Sequence, residues 1–109
     1  MTATLRQGAT ELARSIREGR VSSEAAVDQH LARIAAVDPM LHAVVALSET
    51  ARDEARAADW QRARGEPLGL LHGVPVTIKD WIEVAGMPCV AGMRQRVGFV
   101  PSRDAMRQW

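Results

Sequence analysis

Cysteine occurs once in this sequence, at Cys89, so no internal disulfide can form and no CxxC pair is offered to a metal. A single thiol fits a reducing compartment. Aromatic side chains are scarce. Phe99, Trp60, Trp81 and Trp109 are all there are, too few for a platform on which nucleobases stack. Neither sign of charge is in excess: 14 basic and 13 acidic residues leave a formal net charge of +1. They are intermixed along the chain, which argues against a nucleic-acid patch and an acidic tail. No apolar run is long enough to span a bilayer, and the opening MTATLRQGATELARS has no signal-peptide h-region. These absences predict a cytoplasmic protein with no membrane partner and no nucleic-acid partner.

What remains is ordinary globular material. The chain has 109 residues, 47% of them hydrophobic and 25% charged, the size of one small domain or of part of a larger one. Its first half reads as helices. In GATELARSIREGR the residues Ala9, Leu12, Ala13 and Ile16 share a face, with Thr10 as the expected N-cap and Gly19 just past the end. SSEAAVDQHLARIAAVDP repeats the plan, with Ser22 or Ser23 as cap, Val27, Leu31 and Ile34 as the stripe, and Pro39 as the stop. The valine-rich piece His42 to Leu47 predicts a strand.

SETARDEARAADWQRARGEP predicts a third helix, capped by Ser48 and ended by Gly65. Its charges fall at pairing distances, Glu49 with Arg52, Asp53 with Arg56 and Asp59 with Arg62, the mark of a solvated face at roughly 0.2–0.5 kcal/mol a pair. Ala51, Ala55 and Ala58 would be its buried side. From Pro67 onward the texture changes, with Gly69, Gly73, Gly86, Gly92 and Gly98 among four prolines. The pieces VPVTIKDWIEV and MPCV predict strands separated by turns such as AGMP. The expected class is mixed α/β: a mainly helical segment over 1–66 and a strand and loop segment over 67–109.

Lys79 is the one lysine in a sequence that otherwise writes arginine. On an extended strand it shares a face with Pro75 and Thr77, opposite Val74, Val76 and Ile78. Where such a face lines a site, desolvation pulls an amine toward neutrality and lets it relay protons. Arginine cannot do so, because its guanidinium stays charged. Asp80, on the opposite face, is expected to make structural hydrogen bonds. His30, His42 and His72 share no metal-ligand spacing, and Cys89 has no evident base beside it and reads as a small buried apolar residue.

The stretch LGLLHGVPVTIKDWIEVAGMPCVAGM, followed by FVPSRDA, resembles the amidase signature family. The matching residues are Gly73, Val74, Pro75, Ile78, Lys79 and Asp80, then Gly86, Pro88 and Gly92, then Phe99, Pro101, Asp104 and Ala105. The helices before them look similar too. Cys89 stands where threonine is common in the family, and Met93 where serine is common.

The resemblance implies a central mixed sheet covered by helices, incomplete in this chain. It also implies hydrolysis of a carboxylic acid amide by a Ser–cis-Ser–Lys triad, without metal or organic cofactor. The lysine matching Lys79 exchanges a proton with the bridging serine, which activates the nucleophilic one. Both serines normally follow in glycine-rich sequence, whereas none of the five serines here is flanked by glycine. The family also continues past the Asp-Ala pair with a valine- and leucine-rich helix, where this chain has only MRQW. The expectation is therefore an amino-terminal fragment of an amidase, inactive alone, whose one catalytic residue is Lys79 and whose substrate is a small-molecule amide. Two alternatives stand beside it. One is a fragment of the glutaminase subunit of tRNA-dependent amidotransferase, which tends to write asparagine where Trp81 stands. The other is a small helical interaction module without chemistry.

Overall fold

A computed structural model describes residues 3–105. The chain divides into two compact units, Met1–Ala43 with Glu49–Pro75, and Val44–Ser48 with Val76–Trp109. The first holds the three α-helices, α1 (Ala9–Arg17), α2 (Ser23–Leu41) and α3 (Ala51–Ala63), after a short 3₁₀ turn at Ala3–Arg6.

Helix α1 forms where the apolar spacing predicts, and Leu12, Ala13 and Ile16 are buried. Its N-cap is Gly8 rather than Thr10, which lies inside the first turn, and no side chain caps it. Its end is closed by Gly19 at φ 76°. The Gly19 N–H donates to Ile16 O at 3.1 Å and the Arg20 N–H to Ser15 O at 2.9 Å, the paired bonds of a Schellman motif. Helix α3 ends identically at Gly65, φ 71°, with Gly65 N–H to Arg62 O at 3.0 Å and Glu66 N–H to Gln61 O at 3.2 Å. A left-handed residue costs an L side chain about 1–2 kcal/mol, hence glycine at both ends.

Helix α2 starts at Ser22, whose Oγ accepts the Ala25 N–H at 3.0 Å. It does not stop at Pro39. The proline stands in the last turn on an exposed side of the helix, where its missing N–H costs a single helical bond, and the helix runs on to Leu41. Closure comes from His42 at φ 49°, whose N–H reaches Asp38 O at 2.7 Å, and from Asp38 Oδ1, which accepts the Ala43 N–H at 2.7 Å. Of the expected stripe, Val27 is buried and Leu31 and Ile34 are half-buried.

The core joins Leu12 and Ile16 of α1 to Ala26 of α2, with Val21 and Val74 packed against them. Helix α3 lies against α2 and buries Ala55, with Ala51 and Ala58 half-buried. Two serines are buried here and both are satisfied: Gln7 Nε2 donates to Ser15 Oγ at 3.1 Å, and Ser23 Oγ donates to Gly73 O at 2.6 Å.

The charges of α3 correct the expectation of a purely solvated face. Only Asp53–Arg56 forms as expected, at 3.3 Å. Arg52 pairs with Asp28 at 2.6 Å and Arg56 with Glu24 at 3.0 Å, both across to α2. The hydrogen bond to Glu24, and then its charge, raise the Arg56 guanidinium above its usual pKa. Asp59 and Arg62 do not pair with each other. Asp59 accepts the Ser23 N–H at 2.8 Å and the Glu24 N–H at 3.1 Å, at the start of α2. Arg62 Nε donates to Arg17 O at 3.1 Å, at the end of α1. The physical reason is that helix starts leave orphan donors and helix ends leave orphan acceptors, with matching partial charges. The cap of α3 is Thr50 rather than Ser48, and its hydroxyl donates to Glu54 Oε2 at 2.9 Å.

Among its described residues the second unit contains a 3₁₀ turn at Arg94–Arg96 and otherwise turns and extended backbone. Among the described residues no β-ladder forms, so the strands expected at 42–47, in VPVTIKDWIEV and in MPCV are not present as strands. Extended backbone becomes a strand only through a repeating ladder with a neighbour, and the isolated bonds from Cys89 N–H to Phe99 O and from Ala105 N–H to Glu83 O do not repeat into one. The helix expected after Ala105 lies outside the described residues. No helix among the described residues is long and apolar enough to cross a membrane.

Candidate functional site

Lys79 lies at the start of a turn. Its carbonyl accepts the Ile82 N–H at 2.9 Å, and its ammonium stands over the Trp81 ring, 5.1 Å from the centroid. The partly apolar enclosure expected for the amine is not formed by the described residues, and Lys79 is exposed. The cation–π contact with Trp81 is the partner the structure gives its ammonium. What the arrangement offers chemically is an accessible amine on a tethered turn.

The tethers come from the motif residues themselves. Asp80 Oδ1 accepts the Val90 N–H at 3.0 Å, and Asp80 O accepts the Cys89 thiol at 3.1 Å. The Cys89 N–H donates to Phe99 O at 3.2 Å, the Gly86 N–H to Pro101 O at 3.0 Å, and the Ala105 N–H to Glu83 O at 2.8 Å. Asp104 Oδ1 accepts the Ala85 N–H at 2.9 Å. Three sequence pieces that lie apart in the chain are thus knotted into one body by backbone bonds and two aspartates. Asp80 takes the structural role expected of it.

Two turns make the knot possible. In Val84–Met87 the Met87 N–H returns to Val84 O at 3.1 Å, with Gly86 at φ 79° in the third position. In Val90–Met93 the Met93 N–H returns to Val90 O at 2.9 Å, and both central residues, Ala91 and Gly92, have positive φ.

Cys89 is 1% exposed, as its reading as a small buried residue predicts. Arg96, which no sequence signal singled out, donates from Nε to Cys89 O at 3.1 Å and lies over the Phe99 ring at 4.6 Å. Asp104 could have been found, since it belongs to the third motif piece; Arg96 lies between pieces and could not.

The other candidates are structural. His30 Nδ1 lies 2.7 Å from Ala26 O and His72 Nε2 lies 2.8 Å from Ala58 O. Ser15, Ser22 and Ser23 are engaged in the helical unit as described above. Among the described residues no three His, Cys, Asp or Glu side chains gather as metal ligands.

Gly73, the first residue of the motif, belongs to the helical unit. Its φ is 77°, and a Cβ there would lie 3.1 Å from both Ile16 Cγ2 and Ser23 Cβ, two of the most buried side chains. Gly73→Ala is expected to cost at least about 2 kcal/mol, combining left-handed strain with crowding, read as a lower urea midpoint at unchanged slope. A midpoint equal to that of the parent chain would refute the crowding.

The family model that matches this chain is "Amidase", over residues 25–107. The chain belongs to the amidase family. Among curated relatives it is 45% identical over 98 residues to indoleacetamide hydrolase of Bradyrhizobium diazoefficiens, covering 89% of this chain and 19% of that protein. It is 43% identical over 106 residues to a glutamyl-tRNA(Gln) amidotransferase subunit of Salinispora arenicola, covering 96% of this chain and 22% of that one. Among solved structures, the crystal structure of PAM12A superposes with a TM-score of 0.86 at 34% identity, over 94% of this chain and 21% of that chain. A chain of the vestigial protein complex bearing on the origins of an s-triazine catabolic enzyme gives 0.82 at 33% identity, over 90% and 22%. This amidase segment therefore spans about a fifth of the length of the relatives it matches.

Proposed function

We propose that the whole protein hydrolyses a carboxylic acid amide to the acid and ammonia or an amine, and that residues 1–109 supply part of one amidase domain, with Lys79 as its proton relay. The observation that carries this reading is the family match over 25–107, which includes Lys79 within the hydrogen-bonded knot. In the scheme the resemblance implies, neutral Lys79 accepts a proton from the bridging serine, and that serine takes one from the nucleophile as it attacks the carbonyl. The proton leaves with the amine, and water then releases the acid. Neither serine is expected among these residues, since none of the five serines is flanked by glycine, and Ser15, Ser22 and Ser23 are engaged within the helical unit. The 109-residue chain alone is accordingly inactive.

In the whole domain, the extended stretches of 67–109 join a mixed sheet with helices 1–66 outside it. Exposed Val45, Val76, Leu70 and Val97 are apolar surface that such a sheet would cover. The single thiol suits the cytoplasm, and the partner is a small-molecule amide.

The test is a chimera in which this segment replaces the matching 98 residues of the B. diazoefficiens hydrolase. Amide hydrolysis is expected to persist. A folded chimera without turnover, beside an active host, would sink the proposal. The likeness to the S. arenicola amidotransferase subunit favours a second reading, in which the segment serves a glutamine-hydrolysing subunit and tRNA is bound by its assembly. Host-level glutamine hydrolysis after transplanting the segment into that subunit, with none in the first chimera, would select it.

A further inference from the structure

Asp80 follows the lysine directly and is anchored twice, through its carboxylate to the Val90 N–H at 3.0 Å and through its carbonyl to the Cys89 thiol at 3.1 Å. The anchor point is itself fixed. Cys89 is 1% exposed, its N–H is held by Phe99 O at 3.2 Å, and its carbonyl is held by Arg96 Nε at 3.1 Å. Among the described residues no carboxylate pairs with the Lys79 ammonium. The Asp80 carboxylate is thus spent on a backbone donor ten residues away rather than on the charge beside it.

We propose that Asp80 is a positioning residue for Lys79. It acts as a fixed hydrogen-bond acceptor that ties the lysine-bearing turn to the 89–90 peptide, not as an ionic partner of the amine. The inference rests on reading Lys79 as the relay. Its physical content is that an amine on a long flexible stem exchanges a proton efficiently only if its backbone origin is held still. The turn bond from the Ile82 N–H to Lys79 O and the anchoring of Asp80 both hold the backbone that leaves that origin.

The two roles for Asp80 separate on substitution. Asp80→Asn keeps an oxygen where the Val90 N–H points and removes the charge; Asp80→Ala removes both. Because Lys79 is the sole lysine, reductive methylation with ¹³C-formaldehyde labels only its amine and the chain's amino terminus. The experiment records the Lys79 methyl signal and the Val90 amide exchange rate in the 109-residue chain and both variants. Asp80→Asn is expected to keep the parent methyl shift and slow Val90 exchange. Asp80→Ala is expected to speed Val90 exchange about tenfold, displace the methyl signal, and leave the amides of α1 and α2 unchanged.

If Asn behaves as Ala does, the carboxylate acts by charge and the proposal falls. Exchange of Val90 at the rate of an unstructured peptide in the unaltered chain overturns it with no variant at all. None of these signals depends on amide turnover, so failure of the clamp is read apart from failure of the amidase reading, which the chimera reports.

Discussion

Lys79→Arg in an active chimera is expected to lower kcat for amide hydrolysis by about 10²- to 10⁴-fold, with KM changed far less. The substitution keeps length, positive charge and the stacking contact with Trp81, which guanidinium makes at least as well. What it removes is a side chain able to hand over its proton, since a guanidinium stays charged. A structural or merely electrostatic role for the ammonium would survive arginine; a relay would not. Steady-state kinetics on the parent chimera, Lys79→Arg and Lys79→Ala decide it. Equal loss in the two variants supports the relay. Activity retained by arginine would show that a fixed positive charge is all the site asks for.

The second large effect concerns stability. Asp59→Ala is expected to destabilise the helical unit by roughly 3 kcal/mol, since hydrogen bonds to a charged group contribute about 1.5–3 kcal/mol each and two are lost. The Asp59 carboxylate is half-buried and accepts both Ser23 and Glu24 N–H groups, the first donors of α2. Ser22 Oγ, the cap of the same helix, is engaged with the Ala25 N–H instead. Urea unfolding followed by helical circular dichroism measures the change. Asp59→Asn, which keeps one acceptor oxygen, is expected to fall between the parent and Ala. A parent-like midpoint for Asp59→Ala would mean that water serves the two donors equally well.

The helices are legible in the sequence because their signals are local. Stripe, cap and terminating glycine all act within a few residues, which is why Gly19 and Gly65 stand at their expected positions and Ser22 is one of the two expected caps. Thr10, Pro39 and Ser48 show the limit of that reading: each has the chemistry of a boundary but lies within a residue or two of where the backbone turns. The Asp59–Arg62 pair fails for a different reason. Spacing of three predicts a bond between neighbours on one helix, but the ends of two other helices compete for the same charges, and sequence spacing does not carry that competition. The strands are expected from composition, whereas a ladder depends on which backbone lies alongside. Lys79 is legible through the motif around it. The knot that holds it is not, apart from Asp80, because most of its bonds are backbone to backbone and leave no trace in residue type.

The single turn of α3 that serves two other helices also bears on the order in which the chain can assemble. Asp59 and Arg62 stand 35 to 45 positions beyond the groups they hold. Until α3 arrives, the corner between α1 and α2 has neither its counter-charge at the one end nor at the other, and closing loops of that length costs entropy before any contact repays it. Gly19, where a Cβ would collide with the Arg62 guanidinium, keeps the landing place clear. The corner between α1 and α2 is therefore braced by a segment made later in synthesis than either helix.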